Sequence, residues 1–278
     1  MEKINSFEQE NNTEKKENII IHAVFIRHGE KMHDPNTAET GLTPRGEEKS
    51  FSVGKSMESR DMSKPYSSDT SRTRKTAELV VSGSPTENKG ETRDREELAF
   101  VYDQNGKLAE TIKKIRLDIL GEDFNNLDDE EKKKRLNEAS IKQMDYYLKF
   151  GDKRPDAETY SPVETASGIA KLVDRYVAMS DRLKPGSNVD LINATHDLNL
   201  VAFLKEAIIR EIDGEKVRGF NSIKEIGGPI DFNESFEVLI DRRGKEEVEI
   251  KMIFRGQEYG IDMERVKELV EVHENLEK

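Results

Sequence analysis

The chain of 278 residues contains no cysteine, which removes disulfides, thiolate metal sites and cysteine-based phosphoryl chemistry together. It also lacks any apolar stretch approaching the roughly 20 residues that a membrane span requires. The segment from Met1 to Asn18 is polar and charged and has no apolar core of the kind that a secretory signal carries. The expected location is therefore the cytoplasm, and a membrane is not an expected partner. Basic charge is scarce as well: 45 Lys and Arg stand against 57 Asp and Glu, for a formal net charge of -12. Non-specific nucleic-acid binding relies on a basic surface that displaces counterions, so nucleic acid is not an expected partner either. A phosphorylated ligand would need a local cationic pocket to overcome the unfavourable overall field. The five histidines form no H-E-x-x-H pair and the acids form no D-x-D motif, so neither a metal site nor a cofactor is expected. His, Arg, Asp and Glu remain to carry whatever chemistry occurs.

With 37% charged and 34% hydrophobic residues, the chain has a heavily solvated surface but enough short apolar runs to build a core. Its length suits one large domain with an insertion, or two small ones; the expectation is a flexible arm at 1–18 followed by a single domain over 19–278. Ile19 to Ile26 is a continuous run rich in β-branched residues, as a strand buried on both faces of a parallel sheet requires. Thr43 and Pro44 predict a helix start, with Thr43 as N-cap and Pro44 in the first position, running to about Met57. Pro65-Tyr66-Ser67 predicts a short strand, after which Asp69 or Thr70 caps a helix that Ser82-Gly83-Ser84-Pro85 ends. From Leu108 to Lys149 the pattern is helical and highly charged, with Asp128 and Glu131 spaced like an acidic capping box. This predicts an inserted helical cap at about 100–155.

Ile169, Leu172, Val173, Tyr176 and Val177 form an apolar stripe at helical spacing. Val189 to Ala194 reads as a second central strand, followed by Thr195-His196-Asp197 and a helix from Leu198 to about Ile209. Phe236–Ile240 and Val248–Phe254 predict an antiparallel hairpin at the sheet edge, and Met263–Leu276 a terminal amphipathic helix. The expected fold class is α/β, in three α/β/α layers, with a mostly parallel central sheet, the helical cap and the antiparallel edge hairpin.

In an open α/β sheet, ligands bind outside the carboxyl ends of the strands. His28 and His196 both fall there, each within three residues of a predicted buried strand. Arg27-His28-Gly29-Glu30 joins a guanidinium fork suited to phosphate oxygens to an imidazole able to attack phosphorus. Gly29, directly after them, allows a sharp turn and close approach of a ligand.

These residues resemble the histidine phosphatase superfamily, which includes cofactor-dependent phosphoglycerate mutases, acid phosphatases and phytases. Arg27-His28-Gly29-Glu30 after a hydrophobic strand is similar to its signature, and Leu42-Thr43-Pro44-Arg45-Gly46 to the L-T-x-x-G that often follows. Tyr66 to Glu78 resembles the second block, S-x-x-x-R-x-x-x-T-A, with Arg72 as the second phosphate-binding arginine. Thr195-His196-Asp197 resembles the last block. The resemblance covers about Val24 to Thr86 and Thr159 to Gly260. It implies that His28 attacks phosphorus and forms a phosphohistidine that water hydrolyses, while Arg27, Arg72 and His196 hold the phosphate oxygens.

For the proton donor, Asp197 is the first expectation, since Asp follows the second histidine in the acid-phosphatase branch. It is equally placed to cap the following helix, and Glu96 or Glu97 is the alternative implied by the mutase-like branch. Lys31 stands where the acid-phosphatase branch usually has Arg; it keeps the charge without the bidentate fork. The stretch from Gly228 to Glu237, followed by Val248 to Tyr259, resembles the acid-phosphatase ending, so the chain is placed between the branches with a lean to that side. The expected function is a metal-independent phosphomonoester hydrolase acting on a phosphorylated small molecule or phosphoprotein. A phosphoglycerate mutase-like phosphotransferase and a non-catalytic phospho-ligand binder are the alternatives.

Overall fold

The computed structural model describes residues 18–32, 40–244 and 247–278. Nearly all of the expected N-terminal arm, residues 1–17, lies outside the described residues. The chain divides into two compact units. The first comprises Met1–Glu96, Leu172–Thr195 and Phe232–Ile261, and the second Glu97–Lys171, His196–Asp231 and Asp262–Lys278.

The first unit is built on β1 (Ile19–Arg27), β2 (Met62–Ser67), β3 (Arg93–Asp94), β4 (Asn188–Thr195), β7 (Ser235–Arg243), β8 (Glu247–Phe254) and β9 (Gln257–Ile261), in the order β3-β2-β4-β1-β7-β8-β9. β3, β2, β4 and β1 run parallel to one another, while β7, β8 and β9 continue the sheet with antiparallel pairings. The antiparallel part is thus larger than an edge hairpin, because β7 pairs with β1 along eight residues and lies inside the sheet. Pro65 is tolerated in β2, between β4 and β3, because β3 pairs only with Tyr66 and Ser67, so no ladder bond needs the missing N–H.

Helices cover both faces of this sheet. On one face, Val24, Ile26, Ile192 and Ala194 pack against Ala77, Val80 and Val81 of α2 (Ser71–Gly83), with Val53 of α1 (Pro44–Lys55) alongside. On the other face, Phe25 meets Tyr176, whose hydroxyl donates to Asn193 Oδ1 at 2.6 Å. Tyr176 belongs to the part of α5 (Pro162–Ser180) that lies in this unit. The three-layer α/β/α arrangement follows from the alternation of β1, whose odd-numbered residues face Tyr176 and whose even-numbered residues face α1 and α2.

Two of the expected caps form as read. Thr43 Oγ1 accepts the Gly46 N–H at 2.9 Å, with Pro44 opening α1, and Asp128 Oδ1 accepts the Glu131 N–H at 2.8 Å. Thr70 is the N-cap of α2.

The second unit holds the charged insertion as two helices, α3 (Lys107–Leu120) and α4 (Asp129–Leu148). It also holds α6 (Asp197–Ala207), the hairpin of β5 (Ile208–Ile212) and β6 (Glu215–Arg218), and α7 (Met263–Leu276). Tyr147 of α4 is fully buried, with its hydroxyl 2.6 Å from Thr165 Oγ1. Asp145 accepts from Ser222 Oγ at 2.6 Å and from the Ile223 N–H at 2.9 Å, tying α4 to the single turn at Ile223–Ile226. The helix expected to reach Ile209 stops at Ala207, where three β-branched residues, Ile208, Ile209 and Ile212, enter β5. Among the described residues, no helix is long and apolar enough to cross a membrane.

Candidate active site

Arg27 ends β1, and the chain leaves the sheet at His28, beside the end of β4, because the His28 N–H donates to the Thr195 carbonyl at 3.0 Å. Adjacent parallel strands therefore finish together, at the edge where an α/β sheet presents ligand-binding loops. His28 is buried, with 6% of its surface exposed. Its Nδ1 lies 2.8 Å from the Gly29 carbonyl oxygen. A carbonyl only accepts, so Nδ1 carries the proton in the neutral ring and Nε2 carries the in-plane lone pair.

Gly29 is needed for a reason other than the expected turn. Its φ is not among the positive ones of the described residues, but a Cβ there would lie 2.9 Å from Ser50 Oγ and 3.0 Å from the Gly46 carbonyl oxygen. The constraint is close packing of the loop onto α1. Gly46, the glycine of the L-T-x-x-G stretch, meets the same loop from the other side, since its Cβ would fall 2.4 Å from the Glu30 carbonyl oxygen. Thr43 Oγ1 also donates to Glu30 Oε2 at 3.1 Å. The two sequence blocks are one packed corner.

Arg72 sits half-buried in the first turn of α2, rather than exposed as a helical arginine usually is. Thr76, one turn later and fully buried, links it to the His28 loop. Its Oγ1 accepts the Gly29 N–H at 2.9 Å and donates to the Arg72 carbonyl at 2.8 Å. Arg27, His28 and the Arg72 turn are thereby brought to one corner of the first unit. The first turn of α2 contains no acidic residue, and its orphan N–H groups add to the local positive potential. Lys31 is exposed, and its backbone bridges to Leu42.

The remaining expected residues belong to the second unit. His196 follows Thr195 directly, is 7% exposed, and occupies the N-cap position of α6. Asp197 is half-buried one position further on, and its Oδ1 accepts the Leu198 N–H at 2.8 Å. The cap position expected for Asp197 is therefore taken by His196, although the Asp197 carboxylate still satisfies a first-turn donor. Glu97 lies in a short turn (Glu96–Leu98) and is 8% exposed, whereas Glu96 is exposed. The backbone from Glu97 to Ala99 is held by two helices of the same unit. A Cβ on Gly168 of α5 would meet the Glu97 carbonyl oxygen at 2.1 Å, and Asn199 Nδ2 of α6 donates to the Ala99 carbonyl at 2.9 Å.

Sequence reasoning passed over a third histidine. His22, in the middle of β1, has Nδ1 2.8 Å from Asp190 of β4 and Nε2 2.9 Å from Glu237 of β7. Burial pushes its pKa down, but the hydrogen bonds to Asp190 and Glu237 outweigh that effect and raise it from 6.5 to about 9. The available signal was an Asp inside a buried strand, at the position that the parallel pairing of β1 and β4 sets directly opposite His22. Among the described residues, no group of three or more His, Cys, Asp or Glu could hold a metal ion.

Residues 23–144 match the model of the histidine phosphatase superfamily (branch 1). No curated protein matches the sequence. Among solved structures, the native mycobacterial glucosyl-3-phosphoglycerate phosphatase superposes with a TM-score of 0.50 at 14% identity, covering 86% of this chain and 100% of its own. Phosphoglycerate mutase from Bacillus anthracis gives a TM-score of 0.47 at 14% identity, covering 92% of this chain and 99% of its own. The phosphoserine phosphatase of Entamoeba histolytica, solved with 3-phosphoglyceric acid, gives 0.45 at 14% identity, covering 87% and 95%. The first of these carries the likeness of fold. The matching family model is that of branch 1, and the lean towards the acid-phosphatase branch rests only on the residues quoted for it.

Proposed function

We propose, from the match of residues 23–144 to the model of the histidine phosphatase superfamily (branch 1), that this chain is a phosphomonoester hydrolase working through a phosphohistidine on His28. The observation that carries the reading is the bond from Nδ1 of buried His28 to the Gly29 carbonyl oxygen, 2.8 Å long. It holds the ring in the tautomer whose Nε2 can form a bond to phosphorus as the ester oxygen departs. Arg27 and Arg72 are assigned to the equatorial phosphate oxygens, together with His196, and Lys31 supplies further positive charge at the rim. Asp197 is assigned to protonate the leaving oxygen, with Glu97 as the alternative donor. Water then attacks the phosphohistidine and releases phosphate. No step calls for a metal ion or a cofactor. The substrate class is a phosphorylated small molecule, and the expected compartment is the cytoplasm.

Hydrolysis is favoured over phosphate migration because a mutase needs a strongly basic pocket to retain an acidic intermediate, and Lys31, the one extra cation assigned to the site, is exposed. The test is a panel of phosphomonoesters assayed with excess chelator. Release of phosphate unaffected by chelator is expected, together with a fall of at least about a thousandfold in His28→Ala. Undiminished turnover in that variant would remove His28 as nucleophile, and phosphate migration without release would favour the mutase reading.

A further inference from the structure

We infer that Phe232 is a positioning residue that holds the Arg27 guanidinium for phosphate, an inference that rests on the phosphate-site reading above. The Arg27 guanidinium carbon lies over the Phe232 ring, 4.2 Å from its centroid. The His28 ring centroid is 5.7 Å from that of Phe232, with the planes tilted by 44°. One half-buried aromatic ring thus touches both residues of the Arg27-His28 pair.

The placement is enforced by four anchors within the same unit. The Arg27 N–H donates to the Glu234 carbonyl at 2.9 Å, and the Asn233 N–H donates to the Arg27 carbonyl at 3.2 Å, fixing the register of this segment against the end of β1. Asn233 has φ 62°, a left-handed conformation that Asn tolerates better than most side chains, and this turns the chain so that Phe232 faces Arg27. The Asn233 side chain donates to Ser50 Oγ at 2.7 Å, and Lys49 Nζ donates to the Phe232 carbonyl at 2.7 Å. Residues of α1 therefore grip the turn from below while the ring lies on the guanidinium.

A flat guanidinium stacked on an aromatic face loses water from that face and rotational freedom about its long stem. Stacking occupies the face of a guanidinium and not its N–H edge, through which two parallel hydrogen bonds can be made to phosphate oxygens. The ring adds no group that reacts. It acts through Arg27, so the consequence should appear in the binding of a phosphate-like anion.

The test measures orthovanadate affinity by calorimetry on the full chain, alongside kcat and KM for p-nitrophenyl phosphate. Phe232→Leu, which keeps apolar bulk but removes the π face, is expected to weaken orthovanadate about tenfold. Phe232→Tyr, which keeps the ring, should restore affinity to within about twofold of the unaltered chain. In an Arg27→Gln background, Phe232→Leu should change the affinity no further, because the cation through which it acts is gone. Equal affinity in the unaltered chain and Phe232→Leu would overturn the inference and leave the phosphatase reading standing. So would an undiminished effect of Phe232→Leu in the Arg27→Gln background, which is the result a purely structural role produces. Failure of the unaltered chain to bind orthovanadate or phosphate at all would defeat the phosphate-site reading and the inference with it.

Discussion

His22, Asp190 and Glu237 join three neighbouring strands through one imidazolium. The folded-state pKa of about 9 lies above the ordinary 6.5, so the stability it contributes is complete below about pH 6.5 and is lost as the pH rises through about 9. The stability advantage of the unaltered chain over His22→Gln should shrink by on the order of 3 kcal/mol between pH 6 and pH 10. Urea denaturation at the two pH values measures this, and an advantage independent of pH would remove the charged role of His22. A second prediction at this scale concerns Asp197, one of whose oxygens is already engaged by the Leu198 N–H. Its capping and proton-donor roles coexist only when the other oxygen carries the proton. Asp197→Asn should slow hydrolysis of an alkyl phosphate at least about a hundredfold more than that of p-nitrophenyl phosphate, whose leaving group needs no acid. An equal effect on both esters would transfer the role to Glu97, with Glu97→Gln as the next variant.

The corner that carries His28 depends on how closely two helices approach. A Cβ on Gly54 of α1 would fall 1.9 Å from the Val80 carbonyl oxygen, and one on Gly83 of α2 would fall 2.2 Å from the Phe51 carbonyl oxygen. Each helix presents a glycine to the backbone of the other. Gly54→Ala forces the pair apart, which should cost roughly 3 kcal/mol despite the better helix propensity of Ala. The corresponding fall in Tm is roughly 6–12 °C, read by calorimetry, and an unchanged Tm would contradict the packing described. The two helices also frame the site, since α1 supplies Ser50 and Lys49 beneath Asn233 and Phe232, while α2 supplies Thr76 and Arg72. Capping and stop residues revealed the existence of both helices in the sequence, but the glycines carried no mark of which ones face a neighbour. That information resides in the partner helix.

For the molecule as a whole, the net charge of -12 and a pI near 5.1 oppose binding to any polyanion. Duplex DNA at about 0.15 M salt should show no binding up to about 0.1 mM protein, the weak end of ordinary non-specific affinity. A fluorescence anisotropy titration checks this, and saturable binding that weakens with added salt would reveal a basic surface. Against that background a phosphorylated ligand depends on local groups, so the site must concentrate its cations on a few backbone positions. β1 and the first turn of α2 provide them, at the carboxyl side of parallel strands where the α/β fold leaves its loops.

What the sequence by itself determined is whatever depends on neighbours a few residues apart. The buried strand Ile19–Arg27, the Thr43-Pro44 helix start, the Asp128 cap, the terminal helix Met263–Leu276 and the setting of His28 just beyond a strand were all legible in that way. Tertiary structure decided the rest, because those features depend on pairings between residues distant in the chain. His22 meets Glu237 across 215 positions and Asn233 meets Ser50 across 183. β7 enters the sheet beside β1 because the alternating burial of Phe236, Val238 and Ile240 matches the pleat of that strand, not because of the turn that precedes it. Gly29 and Gly46 are required by atoms of each other's segments, and Phe232 reaches Arg27 only through a left-handed Asn233 held from α1. A local pattern places a side chain on an element, whereas its neighbours across the fold determine what it can do.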